Sequence, residues 1–218
     1  MTIPLMLNEA KKFCLCESNF DNPELYGITD GKAVGTFVEH KFQNILSDKY
    51  EVVIGSSAKG IDFPSQEINT DIKVTSIRQP QSSCPFKSAE QKIFGLGYNL
   101  LLFVYDKVDN PQTKTSRLNF VNCSFIEKNR TADYQTTKSL LQLIENNANA
   151  EEIAAFLFER NLPADEILLN QLAEKILIQP PQQGYLTISN ALQWRLQYGR
   201  IVELNETVDG IRRIIGND

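Results

Sequence analysis

Asp62, Asp71 and Lys73 are the residues of this chain whose types and spacing could do chemistry together. Asp71 and Lys73 stand at i and i+2 in the stretch INTDIKVTS, residues 68–76. Its Ile68, Ile72 and Val74, with Ile77 just beyond, are strand formers at near-alternating positions, so Asp71, Lys73 and Thr75 fall side by side on the other face. Asp62, in GID, precedes this strand by a distance that lets a tight turn through PSQE bring the two carboxylates to one sheet edge. Hard cations such as Mg2+ need clustered oxygen ligands, often only one or two carboxylates, with waters and substrate phosphate completing the octahedron. A lysine alongside can orient an attacking water. Such a set suits hydrolysis of a phosphodiester. The same residues also fit a solvated edge strand whose ion pair is worth about 0 to 1 kcal/mol.

The rest of the composition narrows the alternatives. The chain has one histidine, His40, which excludes multi-histidine zinc centres and leaves any histidine-dependent triad to that residue alone. Cys14, Cys16, Cys84 and Cys123 match no common zinc spacing and read as reduced structural thiols. GSSAKG (55–60) and GLG (95–97) are too short to signal phosphate binding. With 218 residues, 42% hydrophobic and 22% charged, the chain is long enough for one full core, with or without a helical appendage. No apolar run approaches the roughly 18 residues of a membrane span, and the N-terminus lacks the pattern of a signal peptide, so a cytoplasmic protein is expected. The net charge is −5, yet residues 31–130 carry more Lys and Arg than Asp and Glu, while the stretches on either side are acidic. A locally basic segment keeps a polyanion partner open.

These residues need elements to hold them. Helical spacing is expected over 3–18 and over KAVGTFVEHKFQNILS, where Phe37, Val38, Phe42, Ile45 and Leu46 form a stripe with Glu39 and Gln43 off it. YEVVIG (50–55) reads as a strand, followed by the INTDIKVTS strand and a second helix over 87–98. NLLLFVYDK (99–107) is the continuous apolar run of a central strand, and SRLNFVNCSFIE (116–127) alternates as another. The implied fold is α/β: a mixed central sheet flanked by helices, over residues 1–130. From about residue 131 the pattern turns mainly helical, through TTKSLLQLIENN, NAEEIAAFLFERN, PADEILLNQLAEKILIQ and TISNALQWRLQYGR. Residues 131–218 are thus expected to form a helical region, as a second lobe or a continuation of one domain.

An acid, a short gap, then Asp-x-Lys on a strand, preceded by a helix bearing Glu, resembles the PD-(D/E)xK nuclease superfamily, and especially its type II restriction endonucleases. The matching residues are Glu39, Asp62, Asp71 and Lys73, and the similarity spans roughly residues 30 to 127. Pro does not precede Asp62, where the sequence reads Gly-Ile-Asp-Phe-Pro. The resemblance implies a restriction-endonuclease-like core and Mg2+-dependent cleavage of double-stranded DNA. It implies Asp62 and Asp71 as metal ligands, Lys73 as the water-orienting residue, and Glu39 as an auxiliary ligand or a support to the ligands. It also implies a homodimer, each subunit cutting one strand of a palindromic target. A repair or recombination nuclease with little sequence preference, and a non-catalytic binding module keeping the fold, remain alternatives.

Other residues are candidates for touching DNA. Thr75 and Ser76 continue the polar face past Lys73, and Gln91 falls in the next expected helix. In TISNALQWRLQYGR, read as a helix, Ile188, Leu192 and Leu196 share one side, and Asn190, Gln193, Trp194 and Gln197 lie mostly on the other, with Arg195 and Arg200 nearby. Asn, Gln and Arg are the side chains that read base edges. His40 is expected to cap the core edge, and Glu67 is a spare carboxylate in the turn.

Overall fold

Leu100, Leu101, Leu102, Phe103 and Val104 are all 0% exposed and form the middle of β4 (Asn99–Asn110), the central strand of the main sheet. The computed structural model describes residues 1–55, 60–85, 87–189 and 194–216. They divide into two units: residues 1–82, 98–127 and 202–218 in the first, 83–97 and 128–201 in the second.

In the first unit, a strand buried on both faces explains the unbroken apolar run of β4. It pairs in parallel with β2 (Thr70–Ser76), Asp71 opposite Leu100 and Lys73 opposite Leu102. On its other side it pairs antiparallel with β5 (Thr115–Ile126). The short β1 (Asp21–Asn22) and the late β8 (Ile211–Ile215) both pair antiparallel with β5. The sheet is therefore mixed, as the sequence implied. Helix α1 (Ile3–Glu17) packs against β5, and α2 (Gly31–Lys49) packs against β2. Asp30 starts α2 by accepting from the Lys32 amide at 3.0 Å. Phe13 and Phe42 from the helices meet Phe103 and Phe120 from the sheet, with ring centres 5.3 to 5.8 Å apart around Phe103. This aromatic cluster locks α2, and with it Glu39 and Gln43, onto the sheet that carries Asp71 and Lys73.

The expected strand over 50–55 has no ladder. Val53 and Ile54 are exposed, and the segment is tied to its neighbour by the Gly55 amide donating to the Asp62 carbonyl at 2.7 Å. β-Forming residues do not make a strand without a paired edge.

In the second unit, the helix expected over 87–98 shrinks to one turn, α3 (Gln91–Phe94). Gly95 and Gly97 adopt φ of 91° and 87°, and a Cβ on Gly95 would lie 2.2 Å from the Lys128 carbonyl oxygen. Three full helices follow as expected, α4 (Tyr134–Glu145), α5 (Ala150–Glu159) and α6 (Glu166–Ile178). Each starts on an Asx cap, and Asn149 with Glu152 forms a reciprocal capping box. Ile93, Leu140, Ile153, Leu157, Leu172 and Ile176 fill this unit's own core.

The helix expected over 187–200 is corrected. Thr187–Ile188 (β6) and Trp194–Gln197 (β7) are antiparallel strands, in a small sheet ordered β3 (Gln81–Cys84), β7, β6. Leu196 and Tyr198 are 0% exposed while Arg195 and Gln197 face out, a period of two that overrides the i, i+4 match of Ile188, Leu192 and Leu196. Residues 190–193 lie outside the described residues; among the described ones of this stretch only Gly199–Val202 (α7) is helical, and the chain then returns to the first unit as β8. No described helix is long and apolar enough to cross a membrane.

Candidate active site

Strand β2 has an outer edge, away from β4, whose amides need partners. The turn after Asp62 supplies them. The Asn69 amide closes it onto the Ser65 carbonyl at 2.7 Å, and Phe63 and Thr70 exchange both backbone bonds at 2.9 and 3.0 Å. This bridge sets Asp62 beside Asp71, and the Asp62 Oδ2 accepts the Ile72 amide of β2 at 2.6 Å. The two carboxyls are also hydrogen-bonded to each other. Lys73 reaches back along its strand and places its Nζ 2.6 Å from Asp71 Oδ2.

Helix α2 delivers the remaining members. Glu39 and Gln43, one turn apart, look onto Asp62. The Gln43 side-chain amide, 7% exposed, donates to Asp62 Oδ1 at 3.1 Å and more weakly to Glu39 Oε1 at 3.4 Å. Glu39 acts on Asp62 both by charge and by a side-chain hydrogen bond. The sequence reading brought Glu39, Asp62, Asp71 and Lys73 to one place, and the structure joins them. It missed Gln43 as a member, although the residue was visible on the polar side of the same helix.

Burial governs the electrostatics. Asp71 is 5% exposed, and its carboxyl is pushed up to about 7, first by burial and then by the Asp62 charge, against the pull of Lys73. Asp62 is also raised, again mainly by burial, while its hydrogen bond from Asp71 works the other way. Of the two, Asp71 is the one pushed further toward its protonated form. The Lys73 ammonium contacts Asp71 Oδ2, yet that buried oxygen lacks a well-formed hydrogen bond. Two desolvated carboxyls short of positive charge are an arrangement that a divalent cation would relieve. The donors are all oxygen, which suits a hard ion. Among the described residues, no three His, Cys, Asp or Glu side chains assemble into a ready metal cage. A pair of carboxylates is nevertheless enough for a cation that also takes water and phosphate oxygens.

The other candidates are placed as follows. The Thr75 hydroxyl is 3.1 Å from the Gln79 and Gln81 carbonyls and accepts the Gln81 amide at 3.1 Å, and the Ser76 hydroxyl accepts the Arg78 amide at 3.3 Å. Gln91, in the second unit, is buried, with its amide spent on the Lys87 N–H and the Leu96 carbonyl at 3.2 Å each. Arg195 and Gln197 are exposed on β7, and the Arg200 guanidinium lies over Tyr134. Asn190 and Gln193 lie outside the described residues. His40 is exposed and so does not cap the core edge. Glu67 is exposed too, beside a pocket lined also by Met1, Val53 and Ser65, and it is Asp62 that meets Asp71. All four cysteines are free thiols, with Cys14, Cys84 and Cys123 buried.

Comparison with known proteins bears on the same chemistry. A family model described as Type II restriction enzyme NspV matches residues 1–213. The type II restriction enzyme NspV of Nostoc sp. (strain ATCC 29411 / PCC 7524) is 53% identical over 218 residues, which is 100% of this chain and 98% of that protein. No solved structure gives a significant match.

Proposed function

The chain belongs to the NspV family of type II restriction enzymes, and from that premise we propose that it hydrolyses double-stranded DNA at a specific short sequence with Mg2+ held by Asp62 and Asp71. The single observation that carries the assignment of the site is the buried Asp62–Asp71 carboxyl pair with the Lys73 ammonium 2.6 Å from Asp71. Enzymes of this class work with a divalent metal; its identity as Mg2+ rests on the all-oxygen donor set.

When bound, the cation supplies Lewis-acid stabilisation of the charge that grows on the phosphate oxygens. The chain's own residues do the rest. Asp62, held by the Ile72 amide and by Gln43, keeps a fixed carboxylate at the sheet edge. Asp71, beside it on β2, would hold the cation with Asp62 as a carboxylate. Lys73, close to Asp71 on the same strand face, orients the attacking water and adds positive charge beside the scissile phosphate. Glu39 is the auxiliary group, acting on Asp62 from α2. Attack of water on phosphorus breaks one P–O bond of the backbone, and one such site serves one strand. A two-fold pair of chains is the arrangement that cuts both strands of a palindromic target. The protein works in the cytoplasm, where the DNA it cuts is found.

The test is direct. Purified protein with phage DNA and Mg2+ is expected to give discrete fragments, and excess chelator to abolish them. A smear would point to a nonspecific nuclease, and intact DNA under all metals would remove the assignment.

A further inference from the structure

A face of the second unit bears on how the target sequence is read. Two of its segments, 128–138 and 182–188, are stitched together through the backbone. The Tyr185 amide donates to the Arg130 carbonyl at 2.9 Å, Leu186 to Ala132 at 3.1 Å, and Tyr134 to Leu186 at 2.8 Å. Gly184 permits this approach, since a Cβ there would lie 2.3 Å from the Ala132 carbonyl oxygen. On this frame Tyr134 and Tyr185 pack edge to face at 5.9 Å. The Arg200 guanidinium lies 3.6 Å from the centre of the Tyr134 ring, and the Lys138 ammonium approaches the same ring at 5.9 Å.

The charge carried by the segments that build this face is one-sided. Within 128–138, 182–188 and 195–200 the cations are Lys128, Arg130, Lys138, Arg195 and Arg200, and Asp133 is the single acid. Asp133 is 4% exposed and its carboxylate is consumed inside. Its Oδ1 accepts the Thr136 amide and hydroxyl at 2.8 and 2.7 Å, and its Oδ2 accepts the Ile188 amide at 2.8 Å. A basic, aromatic-bearing face in a chain of net charge −5 has the chemistry of a polyanion contact.

Arg200 stands out within it. Its Nε is buried and has no hydrogen-bond partner among the described residues, a cost that packing over Tyr134 alone does not repay. A guanidinium held over a ring is preorganised, and its planar fork is the geometry that matches O6 and N7 of guanine in the major groove. Gln197, exposed on β7 opposite Thr187, presents an amide from the neighbouring strand pair.

We infer that this face of the second unit reads the DNA sequence, with Arg200, clamped on Tyr134, contacting a guanine and Lys138 contacting a phosphate. The inference rests on the restriction-enzyme reading and adds where specificity resides.

The experiment uses the full chain. Once the target is mapped from wild-type digests, binding to a duplex carrying it is measured in Ca2+ across about 50 to 200 mM salt. Lys138→Ala, an exposed position, is expected to reduce the slope of log affinity against log salt by about 0.9, the effect of one lost phosphate contact. Lys11→Ala, an exposed lysine on α1, serves as the charge control and is expected to leave the slope unchanged. Arg200→Lys keeps the charge over Tyr134 and loses the fork. Against targets altered at one base pair each, it is expected to lose about ten- to a hundredfold of discrimination at one G·C pair, with an unchanged melting temperature. If wild type cuts at discrete sites while either variant behaves as wild type does, or Lys11→Ala changes the slope as Lys138→Ala does, the assignment is overturned. If wild type neither binds nor cuts DNA, the underlying reading falls with it.

Discussion

Gln43 offers the sharpest test of how the site is held together. Its side chain is buried and is the donor that spans Asp62 Oδ1 at 3.1 Å and Glu39 Oε1 at 3.4 Å. The first bond, to a carboxylate, belongs to the class worth about 1.5–3 kcal/mol, and the second is too long to add much. Gln43→Leu fills the same space without a donor and is expected to cost about 2 kcal/mol, or roughly 4 to 8 °C in melting temperature for a chain of this size. For Asp62 as the proposed metal ligand the larger effect is on metal binding, because the Ile72 amide then remains as its anchor on β2. Partners that orient a metal ligand are worth about 10- to 100-fold in affinity. In single-turnover cleavage at saturating enzyme, the metal concentration for half-maximal rate should therefore rise by that factor, while the rate at saturating metal stays within a few fold of wild type. A residue that merely packs would lower the melting temperature on Gln43→Ala and recover with Gln43→Leu, with no change in metal dependence. That pattern would refute the positioning role.

Asp71→Asn should lower the cleavage rate at least about a hundredfold, the scale of one positioned electrostatic group, while the far-UV circular dichroism stays that of wild type. Phe103→Ala, at the centre of the ring cluster and fully buried, should cost about 3–5 kcal/mol in urea unfolding. Glu9 is held at about 2, below its ordinary 4.5, by hydrogen bonds from Lys12 and Lys49. A carboxyl lowered in the folded state lends stability that is complete above 4.5 and disappears as the pH falls toward 2. Thermal melts between pH 5 and 3 should thus fall more steeply for wild type than for Glu9→Gln, and equal slopes would contradict the Lys12 and Lys49 contacts.

The grouping of Asp71 with Lys73 and Asp62 was legible because strand alternation is a strict rule. Once INTDIKVTS is a strand, Asp71 and Lys73 must share a face, and the turn between Asp62 and Asp71 is too short to carry them far apart. The continuous apolar run of β4 likewise admits little but a strand buried on both faces. Gln43 was overlooked because a glutamine off the apolar stripe looks like any solvated residue until Asp62 is seen beneath it. The stretch 187–200 misled because Ile188, Leu192 and Leu196 match a helical period, while the alternation of Arg195, Leu196, Gln197 and Tyr198 is only four residues long. The segment 50–55 has strand composition but no edge to pair with, which no local pattern reveals. The helix over 87–98 was cut short by Gly95, whose positive φ and close approach to the Lys128 carbonyl depend on a distant part of the chain.

Asp62, Asp71 and Lys73, proposed as a phosphodiester-cleaving centre, are told apart from a plain ion pair on an edge strand by the Lys73→Ala variant. Single-turnover cleavage of the mapped target by Lys73→Ala, under saturating enzyme and Mg2+, separates chemistry from binding. The variant is expected to bind the target in Ca2+ and to melt as wild type does, yet to cut at least about a hundredfold more slowly. Lys73→Arg should also be slow, because a planar fork does not replace a compact ammonium. Cleavage by Lys73→Ala at the wild-type rate would contradict a catalytic role for Lys73 and leave β2 as a strand with a buried ion pair.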